Sequence, residues 1–313
     1  MTDRLSSLAG VASTRQVLQA HGLATKKALG QHFLINDGIV KRICALADVD
    51  HDDVVLEIGP GIGTLTVALL QKSAAVVAVE RDADLPPVLA ETCAPWAGKF
   101  FLISGDALHV MPDDLPMAPG KLVSNLPYAV AATLVLDCFQ RFQTMESATV
   151  MVQAEVADRM AAVPGTKAYG AFTVKLGLYA GVAGRFPVSP GNFFPPPRVN
   201  SSVIRLDRDL CDDMPEQDRR AAAIMADAAF ANRRKTISNS CRTYFSGKGV
   251  AVASPSENAR CGQARGGCDG SDVAQMLMHS FSDAGIDPRR RGESLSLAEF
   301  RTLGRCAREI GLV

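Results

Sequence analysis

Asn125, Leu126, Pro127 and Tyr128 form a tetrapeptide whose parts suit work on an amine attached to an aromatic ring. Such an amine is a poor nucleophile, because its lone pair is delocalised into the ring. An amide oxygen from Asn125 and a backbone carbonyl from Leu126, aimed at the two amino protons, would localise that pair as the nitrogen pyramidalises. Pro127 stiffens the turn so that the Leu126 carbonyl points inward, and Tyr128 offers a face on which a base can stack. Alone, the tetrapeptide also reads as an ordinary Asn-x-Pro turn. What stands beside it decides between the two.

Upstream, the run Val54 to Gly63 reads VVLEIGPGIG. Its apolar start is a short buried strand, its glycines Gly59, Gly61 and Gly63 demand a tight turn, and Thr64 to Leu70 follows at helical spacing. A strand, glycine turn and helix make a nucleotide-binding edge, where missing side chains let a ribose and an adenine approach the backbone. The spacing is G-x-G-x-G, unlike the G-x-G-x-x-G dinucleotide fingerprint that seats a pyrophosphate on a helix N-terminus. Glu57, two residues before the first glycine, would repel a pyrophosphate and hold an ammonium group instead. The pattern fits S-adenosylmethionine (SAM) better than NAD.

Two further acids stand at the ends of apolar runs. Ala74 to Glu80 is a second strand, whose terminal carboxylate suits two ribose hydroxyls because both are donors. Phe100 to Ser104 is a third, followed by Asp106, which can accept from an adenine amino group. In a parallel sheet the carboxyl ends of the strands line one crevice, so these acids and Asn125, at the end of a fourth strand from Lys121, belong together.

Elements around them follow the same logic. Helices are expected over 13–22, 155–162 and 171–179, a fifth strand over 148–153, and late strands over 186–188 and 203–206. Three prolines make 192–199 a rigid extended connection carrying exposed aromatics, among them Phe193 as a second face for a base. Acidic 207–218 reads as a linker, and helical spacing dominates beyond it. Asn232-Arg-Arg-Lys235 and Arg289-Arg-Arg291 are basic clusters there, and Lys26 with Lys27 forms another before the apolar pair Phe33 and Leu34. The glycine- and serine-rich stretch 246–271 reads as a flexible insertion.

Of 313 residues, 47% are hydrophobic and 21% charged, which is ordinary for a globular chain with one large and one small domain. Lys plus Arg and Asp plus Glu are both 33, so a nucleic acid must be met by local basic patches. No apolar stretch reaches membrane-spanning length and no leader pattern opens the chain, so a cytoplasmic location is expected. Eight scattered cysteines without C-x-x-C pairs argue against a disulfide framework and a zinc site, Cys261 and Cys268 included. Cys138 lies in an apolar helical run and reads as core.

Taken in order, GQHFL (30–34), EIGPGIG (57–63), VERD (79–82), GDAL (105–108), NLPY (125–128), KAYG (167–170), FFPPPRVNSSV (193–203) and FANRRKT (230–236) closely resemble the KsgA family of small-subunit ribosomal RNA adenine dimethyltransferases. The resemblance covers nearly the whole chain. It implies an α/β, Rossmann-like class I SAM-dependent methyltransferase domain with a seven-stranded sheet over 1–206, including an N-terminal lid segment, and a small helical RNA-binding domain over 207–313. The implied reaction is direct transfer of four methyl groups from SAM to two adjacent adenosines near the 3′ end of 16S rRNA in the 30S subunit, late in ribosome biogenesis. No metal and no covalent enzyme intermediate are implied, and a monomer is expected.

By the same resemblance, His32, Leu34, Glu57, Gly59, Gly61, Glu80, Asp106 and Asn125 would hold SAM. Asn125 and Leu126 would serve the transfer, Tyr128 and Phe193 would clamp the base, and Lys26, Lys27, Arg198, Arg233, Arg234 and Lys235 would contact RNA. The chain departs from the family in having His32 where many members have Asn, in the apolar AVAAT after Tyr128, and in the length of 246–271. The 23S rRNA dimethylases of macrolide resistance share the catalytic half but not FANRRKT or the long helical part. A non-catalytic assembly factor is disfavoured by the intact acids, and an NAD oxidoreductase by the glycine spacing.

Overall fold

A computed structural model describes residues 4–26, 30–209, 213–248 and 270–313. The chain divides into two compact units, Met1–Ala157 with Ala180–Leu210, and Asp158–Tyr179 with Cys211–Val313. In chain order the elements are α1 (Val11–Ala20), β1 (Phe33–Leu34), α2 (Asp37–Ala47), β2 (Val54–Ile58), α3 (Thr64–Leu70), β3 (Ala75–Glu80), α4 (Pro86–Thr92), β4 (Phe100–Ser104), β5 (Lys121–Asn125), α5 (Ala131–Arg141), β6 (Ser147–Gln153), α6 (Ala154–Met160), α7 (Ala171–Gly177), β7 (Ala180–Val188), β8 (Phe193–Phe194), β9 (Ser201–Arg208), α8 (Glu216–Phe230), α9 (Ile237–Lys248), α10 (Gly270–Asp283) and α11 (Leu297–Glu309).

The first unit carries a seven-stranded sheet in the order β4-β3-β2-β5-β6-β9-β7. Strands β4, β3, β2, β5 and β6 run parallel, and β9 is antiparallel to both β6 and β7. Strands β2, β3, β5 and β6 are buried on both faces, which is why they read as near-continuous apolar runs, while the edge strand β4 is only half-buried. Chain order reverses between β2 and β5, the switch point where α/β sheets bind ligands. The β2–β3 pairing runs through Ile58↔Val79, whereas β2–β5 stops at Leu56↔Leu122, so the two strands part at their carboxyl ends. Beyond that point the Ile58 N–H has no β5 carbonyl to meet and donates to Ser124 Oγ at 2.8 Å, both groups buried. A separate two-stranded ribbon pairs Phe33 with Phe194 and Leu34 with Phe193.

The second unit is helical around Phe281, Phe300 and Leu303. Helix α11 starts with a capping box, in which Ser296 Oγ accepts from Glu299 N–H and Glu299 Oε2 accepts from Ser296 N–H. Where α8 and α11 meet, only glycine fits at 304, since a Cβ there would lie 2.4 Å from Ala222 N. The stretch 158–179 packs in this unit, within the span 1–206 expected as one domain. Its Tyr169 is buried among the helices, edge-on to Phe230 at 5.8 Å, with its hydroxyl donating to the Leu295 carbonyl at 2.8 Å.

Some boundaries differ from expectation. Helix α1 starts at Val11, because Ser13 turns its hydroxyl back to the Leu8 and Gly10 carbonyls and does not cap. The linker expected over 207–218 is narrower, since β9 extends to Arg208 and α8 begins at Glu216. Of the insertion expected over 246–271, the ends belong to α9 and α10. Its remainder lies outside the described residues, with Cys261 and Cys268. Among the described residues, no helix is long and apolar enough to cross a membrane.

Candidate active site

A cavity of about 540 Å³ opens at the carboxyl ends of β2, β3, β4 and β5. Its wall includes His32, Leu34, Glu57, Gly59, Gly61, Glu80, Asp106, Asn125, Leu126 and Tyr128, so residues far apart in the chain converge as the strand-end argument requires. The glycine turn is built as its composition demands. Gly59, Gly61 and Gly63 have φ of 71°, 62° and 91°, in the left-handed region. At Gly61 a Cβ would also be crowded, 3.1 Å from the Phe33 ring, which would have to give way.

The acids occupy distinct electrostatic settings. Glu57 is 1% exposed, its Oε2 lacks a hydrogen-bond partner, and burial pushes its carboxyl up to about 8. The Thr66 hydroxyl, near it but outside hydrogen-bonding geometry, offsets part of this rise, and the Glu80 carboxylate adds to it. Glu80 is also raised by burial, against the pull of backbone donors: Asp82 N–H to Oε1 at 2.8 Å and Gly61 N–H to Oε2 at 3.3 Å. Asp106 accepts from Leu108 N–H at 3.0 Å and faces the Arg81 guanidinium at 3.5 Å.

Asn125 ends β5 with its amide orientation set. Its Nδ2 donates to the His32 carbonyl at 3.1 Å, which leaves Oδ1 as an acceptor at the cavity. Leu126 is 2% exposed and anchored by its N–H to the Met151 carbonyl. The His32 ring must donate from Nδ1 to the Pro195 carbonyl at 2.7 Å, which makes Nε2 the remaining nitrogen. Tyr128 stacks on His32 with ring centroids 5.9 Å apart and shares a hydrogen bond with Ser201 Oγ at 2.6 Å.

Phe193 is not where the sequence places it. It is 2% exposed and packs in the hydrophobic core, because its pairing with Leu34 turns it inward and away from the cavity wall. The half-buried Phe194 beside it is covered by the Arg15 guanidinium at 5.1 Å. Lys26 differs too: its ammonium lies 2.5 Å from both Asp82 and Asp84, and its N–H donates to Gln31 Oε1, so its charge is already neutralised. Lys27 lies outside the described residues. Arg198 is exposed on the proline-rich loop. In the helical unit Arg233 is paired to Glu293 at 2.8 Å, while Arg234 and Lys235 are exposed. Cys138 is core, 4% exposed, with its thiol pushed up to about 12 by burial.

Sequence reasoning missed Ser124, Ser201, Pro195, Gln31 and Arg81. Gln31, Arg81, Pro195 and Ser201 sit inside GQHFL, VERD and FFPPPRVNSSV, so the motifs themselves were the signal. Ser124 acts across strands, through a contact that no local pattern displays.

Residues 22–260 match the family described as ribosomal RNA adenine dimethylase. The chain belongs to the ribosomal RNA adenine dimethylase family. The dimethylase is 39% identical over 301 residues to the ribosomal RNA small subunit methyltransferase A of Nocardia farcinica, covering 94% of each chain. It is 37% identical over 318 residues to the protein of that name from Corynebacterium diphtheriae, covering 97% of each. In fold it is similar to a dimethyladenosine transferase from Plasmodium falciparum, with a TM-score of 0.71 at 22% identity over 87% of this chain and 96% of that one. The 23S rRNA methyltransferase ErmE gives a TM-score of 0.62 at 21% identity over 88% and 99%. The seven-stranded α/β methyltransferase fold expected from the motifs is therefore present.

Proposed function

We propose that this dimethylase uses SAM to convert two adjacent adenosines near the 3′ end of 16S rRNA to N6,N6-dimethyladenosines within the 30S subunit, late in its assembly. The enzyme acts as a cytoplasmic monomer without a metal. The substrate reading is supported by relatives named for the small subunit that match over almost their whole length, helical unit included.

The cavity fits SAM on its own chemistry. An orphaned buried carboxylate oxygen on Glu57 asks for a cationic donor, and the neighbouring acids ask for hydroxyl and amino donors. Glu57 would hold the ammonium, Glu80 the ribose hydroxyls and Asp106 the adenine amine, with Gly59, Gly61, His32 and Leu34 lining the fit. When bound, SAM supplies an electrophilic methyl group on a sulfonium.

The observation that carries the catalytic reading is the Asn125 amide. Because its nitrogen is spent on the His32 carbonyl, its oxygen is fixed as an acceptor before any substrate arrives. Asn125 Oδ1 and the Leu126 carbonyl hold the two protons of the target N6 amine and localise its lone pair. Tyr128 stacks the flipped adenine and favours the nearby positive charge through its ring face. Asn125 is not a base; the proton of the methylated, now acidic ammonium leaves to water. Exposed Arg198, Arg234 and Lys235, together with Arg233, contact the RNA backbone.

The test is methyl transfer from labelled SAM to purified unmethylated 30S subunits, with naked 16S and 23S rRNA in parallel, followed by nucleoside analysis. Dimethyladenosine in 30S alone is the expected result. Transfer to 23S rRNA in place of 30S, or binding without transfer, would replace this reading.

A further inference from the structure

Tyr128 is held at two points, by Ser201 and by His32, and the chain just before Ser201 fixes His32 in turn. Its hydroxyl shares the 2.6 Å hydrogen bond with Ser201 Oγ, and its ring rests against His32, with planes inclined by 22°. His32 is itself pinned to the Pro195 carbonyl at 2.7 Å. Ser201 is 1% exposed and opens β9, where it sits opposite Gln153 on β6 and Val188 on β7. A hydroxyl seated between two strands is a fixed post, whereas a tyrosine projecting into a cavity would otherwise turn about its own side-chain bonds.

We propose that Ser201 is a positioning residue for methyl transfer: through the shared hydroxyl bond it sets the plane of the Tyr128 ring, and so the angle at which a stacked adenine offers N6 to Asn125. This rests on the reading that Tyr128 stacks the target base. The demand is greatest in the second methylation. A monomethylated amine has a single N–H, so only one of the two acceptors, Asn125 Oδ1 or the Leu126 carbonyl, can hold it. Orientation then depends on the stacked ring, and a loosened ring stalls the reaction after one methyl.

The experiment compares the full chain with Ser201→Ala, Ser201→Thr, Tyr128→Phe and the Ser201→Ala/Tyr128→Phe pair on unmethylated 30S subunits. It reads kcat, the ratio of monomethyl- to dimethyladenosine, SAM affinity and melting temperature. Ser201→Ala and Tyr128→Phe remove the same bond from opposite ends, so each should lower kcat about tenfold and raise the monomethyl share, as a small misplacement of a reacting group does. SAM affinity should stay within about twofold, since the Tyr128 ring is kept in both single variants and neither lost hydroxyl is assigned to that ligand. The double variant should be no worse than either single one, and Ser201→Thr, which keeps the hydroxyl, should recover most of the loss.

The inference is overturned if Ser201→Ala retains wild-type turnover and product ratio, if the two losses multiply, or if SAM affinity falls in step with kcat, which marks general damage. A wild-type chain that makes no dimethyladenosine on 30S would instead strike the functional reading itself.

Discussion

Replacing Glu57 by glutamine removes a charge the fold does not favour, and the cost of that charge has a definite pH signature. Burial raises the carboxyl from 4.5 to about 8 in the folded chain. Below the unfolded value both states hold the proton, and the acid costs nothing. As pH rises through the interval the unfolded state ionises first, so stability declines by ~1.4 kcal/mol per unit until the folded carboxyl also ionises. Across the 3.5 units between 4.5 and about 8 the decline reaches about 5 kcal/mol. Glu57→Gln keeps the shape and lacks the titration. Its advantage over the wild type should therefore grow from near zero at pH 4.5 to its full value near pH 8, then level off.

Urea unfolding of the ligand-free protein, followed by the fluorescence of the single tryptophan Trp96, reports on the same unit that holds Glu57. Groups that do not interact with Glu57 titrate alike in both proteins and cancel in the difference. An advantage that is flat with pH, or that shrinks towards alkaline pH, would refute the reasoning. The ligand makes the same carboxyl ionise: with a value of about 8, taking up an ammonium at pH 7 should release about 0.9 proton. Calorimetry in two buffers of different ionisation enthalpy would count it, and Glu57→Gln should bind SAM more weakly and release none.

Asn125→Ala should lower turnover by ~10²–10³ and SAM affinity measured by calorimetry far less, because the acceptor it removes is the one that acts on the amine; unchanged turnover would end the assigned role. Ser124→Ala should destabilise the first unit by ~1–3 kcal/mol in urea unfolding, since the Ile58 N–H is left buried without an acceptor at the mouth of the glycine turn. Replacing Arg233, Arg234 and Lys235 together with alanine should weaken 30S binding and reduce the slope of log affinity against log salt by ~2–3. A slope that stays the same would return the cluster to a solvated surface.

Much of the catalytic unit was legible because its signals are local. Val54 to Leu70 announces strand, turn and helix within one window, and the left-handed φ at Gly59, Gly61 and Gly63 is what those glycines are for. Glu80, Asp106 and Asn125 could be grouped because parallel strands end on one side, a rule that needs topology but no coordinates. Phe193 was misread because its environment is set by Leu34, far away in sequence, and the proline run beside it suggests exposure where the pairing dictates burial. Lys26 was misread for the same reason: its partners Asp82 and Asp84 lie beyond three intervening strands. The placement of 158–179 with the later helices depends on Tyr169 and its distant neighbours, which composition does not reveal.

The ribbon of Phe33–Leu34 with Phe193–Phe194 bears on when the protein becomes competent during its own synthesis. His32 and Pro195, which it brings together, are 163 residues apart, so this wall of the cavity closes only after Pro195 has left the exit tunnel. Until then the Tyr128 hydroxyl lacks Ser201, and His32, on which the Asn125 amide and the Tyr128 ring rest, lacks its tie to Pro195. The site is thus assembled by chain from both ends of the catalytic unit, and its wall is complete only when that unit is nearly all synthesised.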